Sequence, residues 1–549
     1  MNPASALVLV PFLGWLVATP GIAQETKHPT VSIESYYDLE FTEAERDSMQ
    51  SSLEENLAEY KAIHNYPLRN SDGMSLLFNP YPPGFTTDSL QHSIEWGLPK
   101  TVTLPGTKSE IAFLPVHKLA VLVQTRQVTS TQLTILYLDR LKKFGSVLQC
   151  VVTILEERAI AQARKADEEI AAGKYRGPLH GIPYGIKDLL VVKGTKTTWG
   201  AMPYKDQVID ETATVVQKLD DAGAVLVAKL TMGALAMGDI WYGGVTKNPW
   251  DLDQGSSGSS AGSASATAAG LVAFSIGTET WGSIISPSTR CGVTGLRPTY
   301  GLVSRYGAMA LSWSMDKIGP ICRSALDCAL VFDAIRGPDG KDLTVKTAAF
   351  NYNAGDDIRQ LRVGYLKDLF DRDTVNWGRN EKTLDVIREM GITLKEVRLP
   401  EDIPVSSLSI ILGAEAGAAF DELTRSNRDT LLVNQNKNAW PNYFRSFRFI
   451  PAVEYVNAIR IREVLIKNYH DATKDFDVIL APTFGGDQLL MTNLTGHPCL
   501  VLPNGFDEKG RPVSISLLGR LQGEAALISL GRAIQGSTPW DERHPPLFK

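Results

Sequence analysis

A chain of 549 residues with 44% apolar content can bury a large core, enough for one big domain or two ordinary ones. Its formal charge of −6 comes from well-mixed signs, with no basic stripe and no interleaving of aromatic and basic residues, which argues against a nucleic-acid partner. The five cysteines (Cys150, Cys291, Cys322, Cys328 and Cys499) are too sparse for a disulfide scaffold and match no metal-binding spacing, so they read as small buried side chains.

Residues 1–23 resemble an export signal. The apolar stretch Ala6 to Ala18 is shorter than the roughly 20 residues needed to span a bilayer. Gly21 and Ala23 place small residues at the −3 and −1 positions of a cleavage site. The expectation is a secreted or periplasmic protein without a transmembrane anchor. Residues 24–110 form an accessory segment. Its acidic helix opens on a capping box, Thr42 with Glu45, and Pro67, Pro80, Pro82 and Pro83 then interrupt the chain.

The main domain is expected over 111–540. Thr129 with Gln132 caps one helix, and a second runs from Leu155 to Ala172 with Gly173 after it. An apolar strand inside Gly177–Gly194 carries Lys187 and Asp188. A helix from Thr212 to Ala222 leads into strand Ala224–Lys229. The stretch DLDQGSSGSSAGSASATAAGLVAFSIGTETWGS then organises the rest: a serine-rich loop, a helix of small residues (Ala261–Ala269), a buried strand (Leu271–Ile276) and a second polar loop (Gly277–Ser283). Strands follow at Arg362–Leu366, Leu394–Val397, Asp477–Pro482, Pro498–Pro503 and Val513–Leu518. Helices at Glu381–Met390 and Glu524–Ile534 accompany them, and the less regular 337–472 region covers the sheet and shapes a pocket. Strands separated by helices, many of them continuous apolar runs, imply an α/β fold with a mixed, mostly parallel sheet sandwiched by helices.

Two features carry chemistry. Lys187 sits in an apolar strand, where an ammonium ion must find a counter-charge or lose its proton. Asp188 cannot serve, because neighbouring strand residues face opposite ways. A lysine head reaching water at the strand end is the alternative. The two serine-rich loops are either reactive or ordinary turn chemistry.

The blocks GIPYGIKDLLVVKG, KNPWDLDQGSSGSSAGSASATAAG and GTETWGSIISPSTRCGVTGLRPTYG resemble the amidase signature family, and SISLLGRLQGEAALISLGRAI matches its C-terminal end. The resemblance implies an amidase acting on linear amides through a Ser-Ser-Lys triad. Lys187 is the base, Ser259 follows a cis peptide after Gly258, and Ser283 is the nucleophile. Thr280, Trp281, Gly282 and Ser283 supply backbone N–H groups to an oxyanion hole, Ser260 and Glu279 support them, and no metal or cofactor is implied. A small-molecule amide is the implied partner, and a homodimer stays open. The pattern departs from the family at Trp281 (usually glycine), Ile285 (usually arginine) and Ala261 (usually glycine). Arg290 is the expected replacement partner for Glu279.

Met232 and Trp281 are candidate pocket residues. The aromatic group Trp440, Tyr443, Phe444 and Phe447 suits a pocket or the core equally. Three other readings compete. One is an α/β-hydrolase with nucleophile Ser260 in GxSxG and His180 or His497 as base, against which the polar DLDQGSS before the motif counts. The others are an inactive amidase-like binding protein and the amidase component of a tRNA-dependent amidotransferase.

Overall fold

Runs of aliphatic and β-branched residues become strands where both faces of a pleated surface can be filled. In the computed structural model, which describes residues 28–65 and 67–549, one sheet holds eleven strands. They are β1 (Val151–Ile154), β2 (Pro183–Lys187), β3 (Val225–Leu230), β4 (Phe274–Glu279), β5 (Thr294–Arg297) and β6 (Lys317–Cys322), then β7 (Val363–Tyr365), β8 (Leu394–Glu396), β9 (Val478–Pro482), β10 (Cys499–Phe506) and β11 (Pro512–Gly519). Their spatial order is β1-β3-β2-β4-β6-β5-β10-β11-β9-β7-β8. The export-signal reading lies outside the described residues.

The expected α/β architecture, a mixed sheet flanked by helices, is present. Parallel ladders form two blocks, β3–β2–β4 and β9–β7–β8. The remaining ladders are antiparallel, so parallel pairing has a smaller share than expected. The cause is local: a five-residue turn folds β10 straight back onto β11, and β6 inserts antiparallel between β4 and β5.

The signals at helix ends hold. Thr129 and Gln132 close a capping box on helix Ser130–Leu148, and helix Glu156–Ala171 is followed by Gly173 with φ +82°. The small-residue helix runs Ala261–Ala268 with every residue buried. It has almost no side-chain thickness, so it packs closely on β2, β3, β4 and β6. One boundary differs in a way that matters. The strand expected at Leu271–Ile276 instead runs Phe274–Glu279, because its pairing with β6 continues to the couple Lys317–Glu279.

Two compact units divide after Leu68. The first contains the helix Glu43–His64, whose Thr42–Glu45 capping box is formed. The second begins at Arg69, earlier than the expected 111. Asn70 is tied to the main domain by two hydrogen bonds with the Ala310 backbone, at 2.9 and 2.7 Å. It also continues past 540: Phe548 is buried and its carbonyl accepts from Arg140 Nη2 at 2.6 Å. All five cysteines are buried and unpaired.

Candidate active site

Lys187 ends β2 with its side chain fully buried. Its Nζ donates to Ser259 Oγ at 2.8 Å and to Thr278 Oγ1 at 2.9 Å, with the Thr278 carbonyl at 3.3 Å. The head therefore does not reach water. Asp188 faces the other way and pairs with Lys229 of β3 at 2.9 Å. Burial pulls the Lys187 amine from 10.5 down to about 7, against a smaller upward pull from Asp316 and Glu279. An amine poised there can accept a proton near neutrality.

Ser259 lies in the loop between a short polar strand, Asp251–Gly255, and the small-residue helix. The peptide Gly258–Ser259 is cis. A Cβ at residue 258 would sit 1.8 Å from the Gly238 carbonyl oxygen, so only glycine fits. Gly258→Ala is accordingly expected to displace the loop, removing most activity and costing about 1–3 kcal/mol of stability. Amide turnover and thermal melts check this together. Unchanged values for both would show that the loop absorbs the methyl group.

Ser260 does not act as a free hydroxyl. It is fully buried, and its Oγ both donates to the Thr278 carbonyl and accepts from the Thr278 N–H at 3.1 Å. Its own N–H donates to the Ser283 carbonyl at 3.1 Å, joining the two serine loops. The α/β-hydrolase reading fails here, since the elbow's apolar strand is missing and the serine is locked. His180 is held by Glu169 at 3.2 Å and by the Arg176 N–H at 3.1 Å. His497 shares a 2.8 Å hydrogen bond with Thr495, and burial together with Arg297 and His470 pushes it down to about 3. Both histidines belong to structural networks.

The second loop leaves β4 at Glu279. Among the described residues, none of the backbone N–H groups of Thr280, Trp281, Gly282 and Ser283 donates to a protein acceptor. Gly282, at φ +82°, supplies the turn. Glu279 anchors the loop from beneath: one carboxylate oxygen accepts the N–H groups of Ile284 and Ile285 at 2.8 and 2.9 Å. The other accepts from Arg297 Nη1 at 2.7 Å and Asn493 Nδ2 at 2.9 Å. Burial alone would raise this carboxyl, yet Arg297 and these hydrogen bonds hold it at about 2. The partner of Glu279 is thus Arg297 of β5, and the expected pairing with Arg290 is corrected. Ile285, where the family usually has arginine, is fully buried among apolar neighbours. Thr280 is braced separately, its hydroxyl donating to Asp316 Oδ1 at 2.5 Å. Ser283 is 8% exposed. No hydrogen bond joins the Ser259 and Ser283 hydroxyls.

A cavity of about 480 Å³ reaches this region, with Thr278, Thr280, Asp316 and Lys317 in its wall beside Leu189 and Met309. Met232 is fully buried and does not line that cavity. Trp281 is not in its wall either; it is 45% exposed, with an unstrained backbone. The aromatic helix Trp440–Phe447 packs as core, with Trp440 stacked on Phe444 at 4.7 Å and Tyr443 on Phe447 at 5.7 Å. Trp440 Nε1 also bonds the Leu235 carbonyl at 2.9 Å, next to Ala236 of the cavity wall. Among the described residues, no cluster of His, Cys, Asp and Glu is arranged to hold a metal ion.

Comparison with known proteins bears on the family and the fold. The sequence matches the amidase family over residues 132–491. A glutamyl-tRNA(Gln) amidotransferase subunit of Moorella thermoacetica is 32% identical over 496 residues, covering 80% of this chain and 99% of that protein. The corresponding protein of Roseiflexus sp. is 35% identical over 468 residues, covering 77% and 96%. Native peptide amidase from Stenotrophomonas maltophilia gives a TM-score of 0.70 at 28% identity, covering 79% of this chain and 98% of that one. An amidase family protein from Bacillus anthracis gives 0.71 at 25% identity, covering 81% and 95%. The fold and these matches define an enzyme that acts on amides. The chain belongs to the amidase family.

Proposed function

We propose that this protein hydrolyses the C–N bond of linear carboxylic amides through an acyl-enzyme on Ser283. Ser283 Oγ attacks the carbonyl carbon while its proton passes to Ser259 Oγ, and the Ser259 proton passes to Lys187 Nζ. The negative charge formed on the carbonyl oxygen is taken up by the unpaired N–H groups of the 280–283 loop. Collapse breaks the C–N bond, and the leaving amine takes a proton back along the same route. Water then repeats the sequence and releases the acid. The observation that carries the reading is the buried Lys187 amine, 2.8 Å from Ser259. The relay requires the two hydroxyls to close together when substrate arrives; catalytic hydrogen bonds commonly tighten only in the substrate complex. A panel of primary amides, N-substituted amides and esters, followed by mass spectrometry with Ser283→Ala as control, tests it. Product formation that persists in Ser283→Ala would remove it.

The Lys187 assignment also predicts a pH profile. Only the neutral amine accepts a proton, and its value of about 7 places the change within the measurable range. Thus kcat/KM should rise with pH through about 7 as one group deprotonates. A profile that is flat from about pH 6 to 9, or that falls across this range, contradicts a lysine base.

A second reading is supported by the amidotransferase relatives: catalysis within a multi-protein amidotransferase assembly. Turnover of free amides by the isolated protein favours hydrolysis. Activity that appears only with partner proteins and a charged tRNA favours the assembly.

A further inference from the structure

The fold buries two further lysines beside Lys187, and only one of them has a carboxylate. Lys229 is paired with Asp188 at 2.9 Å. Lys317, at the start of β6, is 3% exposed, and its Nζ has a single protein acceptor, the Met315 carbonyl. It makes no ion pair among the described residues. The carboxylates around it are committed elsewhere. Asp316 accepts from Thr280 Oγ1 and from the N–H groups of Leu311 and Ser312. Glu279 is taken by Arg297, Asn493 and two backbone N–H groups. Glu415 accepts from Ser312, Ser314 and Tyr455.

Lys317 lines the same 480 Å³ cavity as Thr280, which begins the row of unpaired N–H groups. Arg305, the other largely buried cation of that wall, is saturated by Asp342, Thr344 and the Trp313 carbonyl. An ammonium group has three donors, so one carbonyl leaves Lys317 short of protein acceptors beside that cavity.

We propose that Lys317 is a specificity-determining residue that binds a carboxylate of the substrate, so that the preferred substrates are amides bearing a second, free carboxylate group. The proposal rests on the amide-hydrolysis reading above. A carboxylate suits the position better than a neutral acceptor, because charge-assisted hydrogen bonds are shorter and stronger and the anion supplies the missing counter-charge. Burial drives the amine of Lys317 well below its ordinary range, with Arg297 adding to the effect. An arriving carboxylate would reverse that. Glu279 does not repel it strongly, since Arg297 already supplies its counter-charge, and the lone pairs of Asp316 are turned toward Thr280 and the N–H groups of Leu311 and Ser312.

The test compares kcat/KM for monoamides of short dicarboxylic acids with neutral amides of equal length. Wild-type protein should favour the carboxylated series by at least about 30-fold, the scale of a charged hydrogen bond. In Lys317→Met that ratio should collapse to within about threefold, mainly through KM, and Lys317→Arg should keep most of it. A wild-type ratio near one overturns the proposal by itself, so misfolding of a variant cannot shelter it. If both series are cleaved in a Ser283-dependent way without preference, only the Lys317 assignment falls. If neither series is cleaved, or Ser283→Ala cleaves as well as wild type, the amide-hydrolysis reading falls and this proposal with it.

Discussion

Lys187→Ala is expected to lower kcat/KM on amides by at least about 10⁴-fold, with little change in overall fold. The side chain is wholly enclosed, and its three contacts are Ser259 Oγ, Thr278 Oγ1 and the Thr278 carbonyl. In the proposed relay, removing it takes away the final proton acceptor and leaves the Ser259 hydroxyl without a partner to pull hydrogen from Ser283. Residues that act as one unit show grossly non-additive losses. Lys187→Ala combined with Ser283→Ala should therefore be no slower than the slower of the two single variants. Steady-state kinetics on the three proteins settles this. A double variant slower by the product of the two losses would mean that the residues act independently. The remaining rate, about 10³-fold over water or more, would come from binding and from the N–H groups of the 280–283 loop.

The second large effect is on stability. Arg297→Met should destabilise the protein by about 3–5 kcal/mol, because it strips the counter-charge from Glu279 while leaving that carboxylate enclosed. Both side chains are fully buried and meet at 2.7 Å. The pH dependence follows with a definite sign. The Glu279 carboxyl is held at about 2 in the fold against an ordinary 4.5. A lowered value stabilises the fold above pH 4.5, and that contribution fades as pH falls from about 4.5 toward 2. Two and a half pH decades correspond to about 3 kcal/mol. Urea unfolding of wild type and Arg297→Met between about pH 7 and 3 measures both predictions. Wild type should lose stability on acidification, and the variant should lose much less. Because Glu279 also holds the N–H groups of Ile284 and Ile285, directly after Ser283, the variant should lose turnover too. Equal stability of the two proteins at neutral pH would show that Arg297 is dispensable.

Much of the site is legible from residue type and order. A lysine inside an aliphatic run, a helix made only of small residues and two hydroxyl-rich loops are local patterns, and each is found where local chemistry places it. The parts that escape are those settled by distant partners. Gly277 to Glu279 look like loop because they are small and polar, yet they complete β4 through pairing with β6. The strand β6 is itself hidden, because Lys317 and Pro320 are poor strand residues that tertiary packing overrides. Arg297 pairs with Glu279 across a neighbouring part of the sheet, and no spacing rule singles it out over Arg290. Thr278 joins the lysine's network from a position with no motif of its own. The boundary at Leu68 is equally invisible. The proline-rich segment after it is irregular in sequence, yet side chains such as Asn70 bind it to the main domain.

The proposed chemistry needs one reactive hydroxyl made nucleophilic by an enclosed amine. The most direct measurement is reaction of the intact protein with a fluorophosphonate, followed by peptide mapping of the adduct. The expected result is a single adduct on Ser283, absent from Ser283→Ala and formed far more slowly by Lys187→Ala. An adduct on Ser260, or labelling at an undiminished rate without Lys187, would contradict it.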